Sequence, residues 1–192
     1  MDNKKEKREL IIDASIKVFA KDGFHKAKVS EIAETAGIGK GTIYEYFKSK
    51  TQLFEEMIKH TLNVYLENAE IVIEKKISSR QKLKEFAQSA MDLTQQHMDI
   101  GRIYSQETGL VGENIIKIML ATQKRIVQMI EDVLQEGVEA EELRPVDLRI
   151  AALSFIGSLK HLRMYHYFIY KRNMTEEEID NFIELYISGL KK

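Results

Sequence analysis

The amino-acid sequence predicts an all-α protein, and three observations lead to that prediction. The 192 residues are 44% hydrophobic and 31% charged, a composition typical of folded helical proteins rather than disordered chains. The chain has one Pro and ten Gly, and six of the Gly fall in residues 37–41 and 101–112, so long stretches contain no helix breaker. Between these breaks apolar residues recur every three or four positions, whereas no stretch alternates for long enough to predict a strand.

The spacing of apolar residues predicts nine helices. Their expected bounds are residues 5–22, 30–36, 40–47, 50–75, 79–98, 101–108, 113–137, 146–171 and 175–190. The first helix follows from apolar residues at positions 11, 14, 16, 18 and 19, and the fourth from those at positions 53, 57, 58, 62, 65, 66 and 69.

The ends of the N-terminal helices carry residues that commonly cap or stop a helix. Gly23 is expected to stop the first helix. Ser30 and Ser49 are expected to accept backbone N–H groups at the starts of the second and fourth helices. Gly137 either ends the seventh helix or is tolerated within it.

The last two helices have their own start signals. Pro145 together with Asp147 predicts the beginning of the eighth helix. Thr175, followed three positions later by Glu178, has the sequence of a capping box and predicts the beginning of the ninth.

The composition excludes several classes of protein. The absence of Cys removes disulfides, thiolate metal sites and thiol nucleophiles. The longest charge-free apolar run, residues 150–159, is about half as long as a bilayer crossing requires. Asp13 and Lys17 interrupt the candidate signal sequence near the N-terminus. We therefore expect a cytoplasmic protein with no membrane partner.

The sequence carries no pattern expected of an enzyme. No His follows Glu at the Glu-x-x-His spacing of metal-binding helical bundles, and no Gly-x-Ser-x-Gly motif occurs. Residues 37–42 look like a phosphate loop, but Glu34 and Gly41 stand where that motif requires Gly and Ser or Thr. We therefore expect no catalytic residue, no metal and no cofactor.

Charge is distributed unevenly along the chain. Residues 1–50 carry 11 Lys and Arg against 8 Asp and Glu, whereas residues 51–192 carry 18 against 22. A basic N-terminal segment can face a polyanion such as DNA. A solvated helix surface is the commoner cause of an excess of this size, so charge alone does not decide between them.

Residues 30–47 have the sequence of a helix-turn-helix. Two short helices that cross at a tight turn need a small residue at the crossing, a residue that tolerates positive φ in the turn, and an apolar residue on the second helix. Ala33, Gly37 and Ile43 meet these needs in that order. With Ile43 and Phe47 in the core, the second helix leaves a polar side that fits a DNA major groove.

The same region resembles the N-terminal domain of tetracycline-repressor-type (TetR family) regulators. The resemblance is carried by residues 24–33, 36–38, 40–50 and 53–54, including the run Gly-Thr-Ile-Tyr-Glu-Tyr-Phe-Lys-Ser-Lys, and covers roughly residues 8–55. It implies a DNA-binding domain over residues 1–50 and a dimerising, effector-binding helical bundle over residues 51–192.

The resemblance also implies a function and the residues that perform it. The expected function is a ligand-responsive transcriptional repressor that binds a palindromic double-stranded DNA operator as a homodimer. A small apolar or amphipathic effector is expected to release it, and the alternative is a DNA-binding protein without an effector. Four positions match phosphate contacts, and four match positions that approach bases. The first group is Ser30, Tyr44, Tyr46 and Lys50, and the second is Lys40, Gly41, Thr42 and Glu45.

Two residues depart from the family pattern. Gly39 stands where Ser, Thr or Ala is frequent, and Glu45 stands where His, Tyr or Arg is common. An acid that faces DNA is repelled by phosphate unless it accepts a hydrogen bond from cytosine N4, so Glu45 either specifies a cytosine or faces away.

Aromatic residues concentrate near the end of the eighth predicted helix. Residues 165–170 contain four aromatic residues within two turns, which predicts partial exposure in a monomer and a dimer interface formed with the last helix. The candidate interface residues are Tyr165, Phe168, Phe182 and Tyr186. The alternative is one buried core face with a few partly exposed tyrosines.

Met and aromatic residues of the middle helices are the candidates for an effector site. The candidates are Phe86, Met98, Tyr104, Met119, Gln123 and Phe155, although residues of these types more often fill a core. Gln106-Glu107, Gly157 and the ending Ser188-Gly189-Leu190 resemble the branch of the family that senses fatty acyl thioesters.

Overall fold

The structure, a computed structural model, describes residues 2–91 and 113–190 and confirms the all-α class, with no strand in these ranges. Eight helices are described. They are α1 (Asp2–Lys26), α2 (Val29–Thr35), α3 (Lys40–Tyr46), α4 (Lys50–Ile73), α5 (residues 79–91), α6 (Glu113–Glu139), α7 (Leu148–Tyr165) and α8 (Glu176–Ser188). A π-helical turn, His166–Tyr170, directly continues α7. The helix predicted at residues 101–108 lies outside the described residues.

The beginning of α2 differs from the prediction. Ser30 is the second residue of this helix, and Lys28, in extended conformation, precedes the first. The Glu31 carboxylate accepts a hydrogen bond from the Lys28 backbone N–H at 3.1 Å. The prediction that Ser30 caps α2 is therefore wrong, because Glu31 satisfies the backbone at the helix start.

Three other predicted helix starts are confirmed. The hydroxyl of Ser49 accepts from the Gln52 N–H at 3.0 Å, before α4. The carboxylate of Asp147 accepts from the N–H of the third residue of α7 at 2.9 Å. Thr175 and Glu178 form the predicted capping box, with bonds of 3.2 and 2.8 Å between the side chain of each and the backbone N–H of the other.

At two positions the lack of a side chain on glycine matters, for a different reason at each. Gly23 has a φ of 72° and interrupts α1 where a helix stop is predicted, before one further turn reaches Lys26. Gly137 lies within α6, and a Cβ there would come within 2.7 Å of the Leu143 side chain and 2.9 Å of the Ser79 hydroxyl. Gly137 therefore allows close packing inside the helix rather than ending it.

The chain divides into two compact units. The first unit comprises residues 1–64 and 95–120, and the second comprises residues 65–94 and 121–192. Helices α4 and α6 each contribute residues to both units. The predicted domain boundary after residue 50 falls at the first residue of α4.

Each unit has an aromatic centre. In the first unit, the ring of Phe54 lies 5.3 Å from that of Phe19 and 5.1 Å from that of Phe24, measured between centroids. In the second unit, the Phe155 ring lies 6.1 Å from Phe86 and 5.5 Å from Phe182. Burial of these large rings supplies a major part of the hydrophobic stabilisation of each unit.

Candidate nucleic-acid interface and the second unit

A short turn joins α2 and α3 in the arrangement predicted for a helix-turn-helix. Within the turn, the Gly37 N–H donates to the Glu34 carbonyl at 3.1 Å, and the Ile38 N–H donates to the Ala33 carbonyl at 3.0 Å. Gly37 has a φ of 68°, in the left-handed region that residues with a Cβ rarely adopt. The prediction of a glycine-dependent turn at this position is confirmed.

The predicted contact side of the two helices is buried. Ala33 is 3% exposed, which allows the helices to approach, and Ile43 on α3 and Phe47 at its end are also buried in the core of the first unit. This packing holds α3 by its apolar side, so its polar side faces the solvent.

The residues predicted to contact DNA lie mainly on that free side of α3. Lys40, Gly41, Tyr44 and Glu45 are exposed, whereas Thr42 and Tyr46 are half-buried. On α2, Ser30 is exposed as well. A single short helix thus presents an ammonium, a phenol and a carboxylate, together with a closely approachable backbone at Gly41.

Lys50 has a structural role that the sequence analysis missed. Its ammonium donates hydrogen bonds to the backbone carbonyls of Phe24, His25 and Ala27, at 2.7, 3.3 and 3.0 Å. The same ammonium lies 4.6 Å from the centre of the Phe24 ring. These partners use all three N–H donors of the ammonium, so Lys50 connects the beginning of α4 to the end of α1.

Arg8 makes a second cationic connection in the first unit. Its guanidinium, on α1, pairs with the Glu56 carboxylate of α4 at 2.5 Å and lies 5.6 Å from the centre of the Phe47 ring, directly after α3. Glu56 also pairs with Lys59 at 2.8 Å. Arg8 therefore links three helices around the helix-turn-helix, which no local sequence pattern indicates.

The effector candidates do not form one cluster. Phe86 and Phe155 meet in the core of the second unit, where the Tyr65 ring lies 6.3 Å from that of Phe86. Met119 instead packs against the core of the first unit, and Gln123 is exposed on the surface. Met98 and Tyr104 lie outside the described residues.

The interface candidates also separate into two pairs. Tyr165 and Phe168 are 46% and 41% exposed. Phe182 lies in the core of its own chain, and the Tyr186 hydroxyl donates to the Ala151 carbonyl at 2.8 Å. Burial raises the pKa of Tyr186 to about 12, so this phenol stays neutral. Phe182 is thus not an exposed docking residue, because α8 uses this side for intramolecular packing.

The exposed aromatic pair belongs to a wider apolar surface, which we call the α7 surface. It comprises the exposed large apolar residues of α7 and of the π-helical turn, namely Ile150, Leu153, Met164, Tyr165, Phe168, Ile169 and Tyr170. A concentration of large exposed apolar side chains on one element is typical of a protein–protein contact.

One side-chain nitrogen of Arg163 on α7 and one of His166 directly after it are buried. The Arg163 Nε and the His166 Nδ1 are inaccessible to solvent, and neither has a hydrogen-bond partner among residues 2–91 and 113–190. The His166 Nδ1 lies 3.7 Å from a Glu178 carboxylate oxygen. Burial lowers the pKa of Arg163 and raises that of Tyr65, and the charge of Arg163 partly offsets the effect on Tyr65.

An open cleft of about 390 Å³ lies on the surface of the second unit. Polar and charged side chains of α5, including Lys84, Glu85 and Gln88, line it together with Glu176. None of the four effector candidates that the structure describes borders this cleft. Its polar lining does not suit the apolar effector that the sequence predicts.

Two further properties concern the described part of the chain. No helix within residues 2–91 and 113–190 is long and apolar enough to cross a membrane. In the same ranges, no group of three or more His, Asp or Glu side chains is arranged to hold a metal ion.

A helix-turn-helix with a solvent-facing second helix, followed by a helical bundle, defines the class of DNA-binding transcriptional regulators. Comparison with known proteins is more specific. Residues 11–57 match the bacterial regulatory proteins of the tetR family, and residues 76–183 match the tetracyclin repressor-like C-terminal domain. The chain belongs to the TetR family of transcriptional regulators.

Three individual proteins illustrate the similarity. The chain is 27% identical over 160 residues to a fatty acid metabolism regulator protein of Bacillus subtilis (strain 168), covering 83% of this chain and 82% of the relative. Its fold matches the transcriptional regulator FadR from Bacillus subtilis in complex with stearoyl-CoA, with a TM-score of 0.76, 24% identity and coverage of 95% and 98%. It also matches AibR in complex with isovaleryl coenzyme A and operator DNA, with a TM-score of 0.70, 20% identity and coverage of 93% and 97%.

Proposed function

We propose that the protein is a repressor that binds a palindromic DNA operator as a homodimer and is released by a long-chain fatty acyl thioester. The observation that carries the proposal is the free polar side of α3, which is held by the buried Ala33, Ile43 and Phe47. Membership of the TetR family supports DNA binding, and the fatty acid metabolism regulator among the relatives supports the effector class.

On DNA, α3 would enter the major groove. Lys40, Gly41, Thr42 and Glu45 would approach base edges, whereas Ser30, Tyr44 and Tyr46 would contact phosphates. The exposure of Glu45 is compatible with a hydrogen bond from cytosine N4. Lys50 was predicted to contact phosphate, and its three intramolecular bonds favour a supporting role instead.

Dimer formation would use the α7 surface. Tyr165 and Phe168 are its exposed aromatic residues, and burial of such side chains against a second copy would remove apolar area from water. A two-fold dimer would place two α3 helices ~34–36 Å apart, the spacing of successive major grooves on one face of DNA.

The effector would bind in the second unit, residues 65–94 and 121–192. Phe86 and Phe155 would contact its apolar chain, consistent with their meeting in the helical core. A ligand releases DNA only if it binds the two conformational states unequally, and tenfold release corresponds to ~1.4 kcal/mol of differential binding.

Two measurements test this proposal. The operator is first selected from a random pool of duplex DNA, and a palindromic consensus is expected. Release of the selected duplex is then measured with stearoyl-CoA, with isovaleryl-CoA and with coenzyme A alone. We expect release by stearoyl-CoA and none by coenzyme A. Operator binding that no acyl thioester changes would support the alternative, a DNA-binding protein without an effector.

A further inference from the structure

Arg163 is an unusual residue within the second unit. It lies on α7 eight positions after Phe155 and four after Leu159, so it follows these two buried residues along one side of the helix. Its side chain is half-buried, and its Nε is inaccessible to solvent and has no hydrogen-bond partner in the described part of the chain. The apolar side of α7 therefore leads to a guanidinium.

Two other arginines of the region are paired, in contrast to Arg163. On α7, Arg149 pairs with the Glu131 carboxylate. After the π-helical turn, Arg172 donates two bonds of 2.7 Å to the carboxylate of Glu178. Among residues 2–91 and 113–190, no carboxylate lies within ion-pair distance of Arg163.

Tyr65 does not supply the missing negative charge. Burial raises the pKa of its phenol, so the hydroxyl remains protonated near neutral pH. A guanidinium that is partly removed from water loses hydration, and only an anion with oxygen acceptors compensates for this loss well.

We propose that Arg163 binds an anionic oxygen group at the head of the effector, while the apolar chain of the effector lies along the aromatic residues of the same unit. The proposal rests on the proposed acyl effector and assigns a residue to the recognition of its head. The aromatic residues are near enough to act together, because the Phe86 ring lies 6.3 Å from Tyr65 and 6.1 Å from Phe155. Tyr65, beside Arg163, connects the cationic and apolar parts of this site.

A ligand with a long apolar chain and an anionic head fits this arrangement, and two kinds of compound have these features. A long apolar chain that ends in anionic oxygens is either a free fatty acid, with a carboxylate, or an acyl-CoA, with phosphates. Both accept hydrogen bonds from the planar guanidinium. A neutral acyl thioester of N-acetylcysteamine has the same chain without an anion and is the matched control ligand.

The test compares the three palmitoyl compounds by calorimetric titration of the full-length protein. The variant is Arg163→Met, which keeps the length of the side chain and removes its charge. We expect wild type to bind palmitate or palmitoyl-CoA more tightly than the neutral thioester, and Arg163→Met to lose about 10- to 100-fold in affinity for the preferred anion only. The preferred compound identifies the source of the anion.

Two further variants separate binding from folding. Arg149→Met makes the same change on the same helix at a paired, exposed position, and it should retain wild-type affinities. Arg163→Lys keeps the charge and should retain part of the preference for an anion. Without ligand, Arg163→Met should unfold at the wild-type temperature or above, because it removes a partly desolvated charge that no described residue pairs.

The outcomes distinguish this inference from the proposed function. If wild type binds none of the three compounds, the acyl effector is wrong and the role of Arg163 fails with it. If wild type binds and Arg163→Met binds equally well, the assignment of Arg163 alone is overturned. A ligand-free Arg163→Met that unfolds several degrees below wild type would also overturn it, because Arg163 would then stabilise the fold itself.

Discussion

The two compact units differ in one cationic side chain, because only the second contains an arginine that none of the described residues pairs. In the first unit, Lys50 donates to three backbone carbonyls and Arg8 pairs with Glu56, so both cations complete contacts within the chain. In the second unit Arg149 and Arg172 are also paired, but the buried Nε of Arg163 has no hydrogen-bond partner among the residues that the structure describes. A DNA-binding domain must keep one conformation to recognise its operator. A ligand-binding domain responds only if the ligand changes the relative free energies of its conformations. The comparison indicates that the cations Lys50 and Arg8 of the first unit are satisfied within the chain. In the second unit, Arg163 keeps a hydrogen-bond donor that our proposal assigns to the ligand.

The largest expected effect tests whether the second unit is nevertheless well packed. Phe155→Ala should destabilise the protein by ~3–5 kcal/mol in urea unfolding, because it leaves a cavity among Phe86 and Phe182. Ile71→Ala, at an exposed position of α4 in the same unit, should change stability by less than about 0.5 kcal/mol. Equal effects of the two substitutions would show a loosely packed unit and would remove the basis for singling out Arg163.

The next prediction tests whether the Lys50 ammonium of the first unit serves intramolecular contacts rather than DNA. Lys50→Ala should lower stability by about 2 kcal/mol through loss of hydrogen bonds from a charged group. Its weaker operator binding should keep the wild-type dependence on salt, because no phosphate contact is lost.

Lys40→Ala is the matched control for Lys50. It should leave stability within about 0.5 kcal/mol and reduce the slope of log affinity against log salt by about 1. A reduced slope for Lys50→Ala without loss of stability would assign Lys50 to phosphate and contradict the contrast between the units.

A smaller effect is expected in the turn of the helix-turn-helix. Gly37→Ala should cost ~1–2 kcal/mol, because its φ of 68° brings a Cβ close to the backbone. Gly41→Ala should be neutral or stabilising by up to ~1 kcal/mol, since it is helical and nothing lies within 4 Å of the added carbon. If the two variants have equal stability by thermal unfolding, the turn is not strained and the first unit is less rigid than proposed.

The smallest effect concerns the acid stability of the second unit. Hydrogen bonds from Arg172, and from the Thr175 backbone N–H, lower the pKa of Glu178 to about 2. A carboxyl with a lowered folded-state pKa contributes stability above its unfolded pKa of about 4.3, and loses it as the pH falls toward 2. Glu178→Gln should therefore flatten the dependence of melting temperature on pH between about 4.3 and 2. The exposed Glu177→Gln serves as the control, and an equal change there would contradict the role of Glu178.

The sequence predicted local features better than distant contacts. The turn at Gly37, its partners Ala33 and Ile43, and the capping box at Thr175 follow from residues within a few positions of one another, and the structure confirms them. The position of Lys50 beside Phe24 could not be predicted, because it depends on where the end of α1 meets α4.

The predicted site residues of the second unit show a related difficulty. Apolar residues at helical spacing indicate that a helix face is buried, but not whether its own chain or a second copy covers it. Phe182 therefore received an interface prediction, although it packs against Phe155. No sequence pattern indicates that Arg163 lacks a partner among the described residues, because this depends on which side chains reach it in the fold.

The sharing of two helices between the units limits how this regulator can be recombined. A fragment that ended at residue 50 would lack Phe54 and leave Phe19 and Phe24 without their aromatic neighbour. Ile115, near the start of α6, is fully buried in the first unit although it follows α5 in sequence. A hybrid protein made by joining two regulators at a single point in α4 would thus take part of its first, DNA-binding unit from each parent protein. A new combination of effector and operator therefore requires matched residues where α4 and α6 pass from one unit to the other. This requirement favours divergence of whole genes over exchange of their halves.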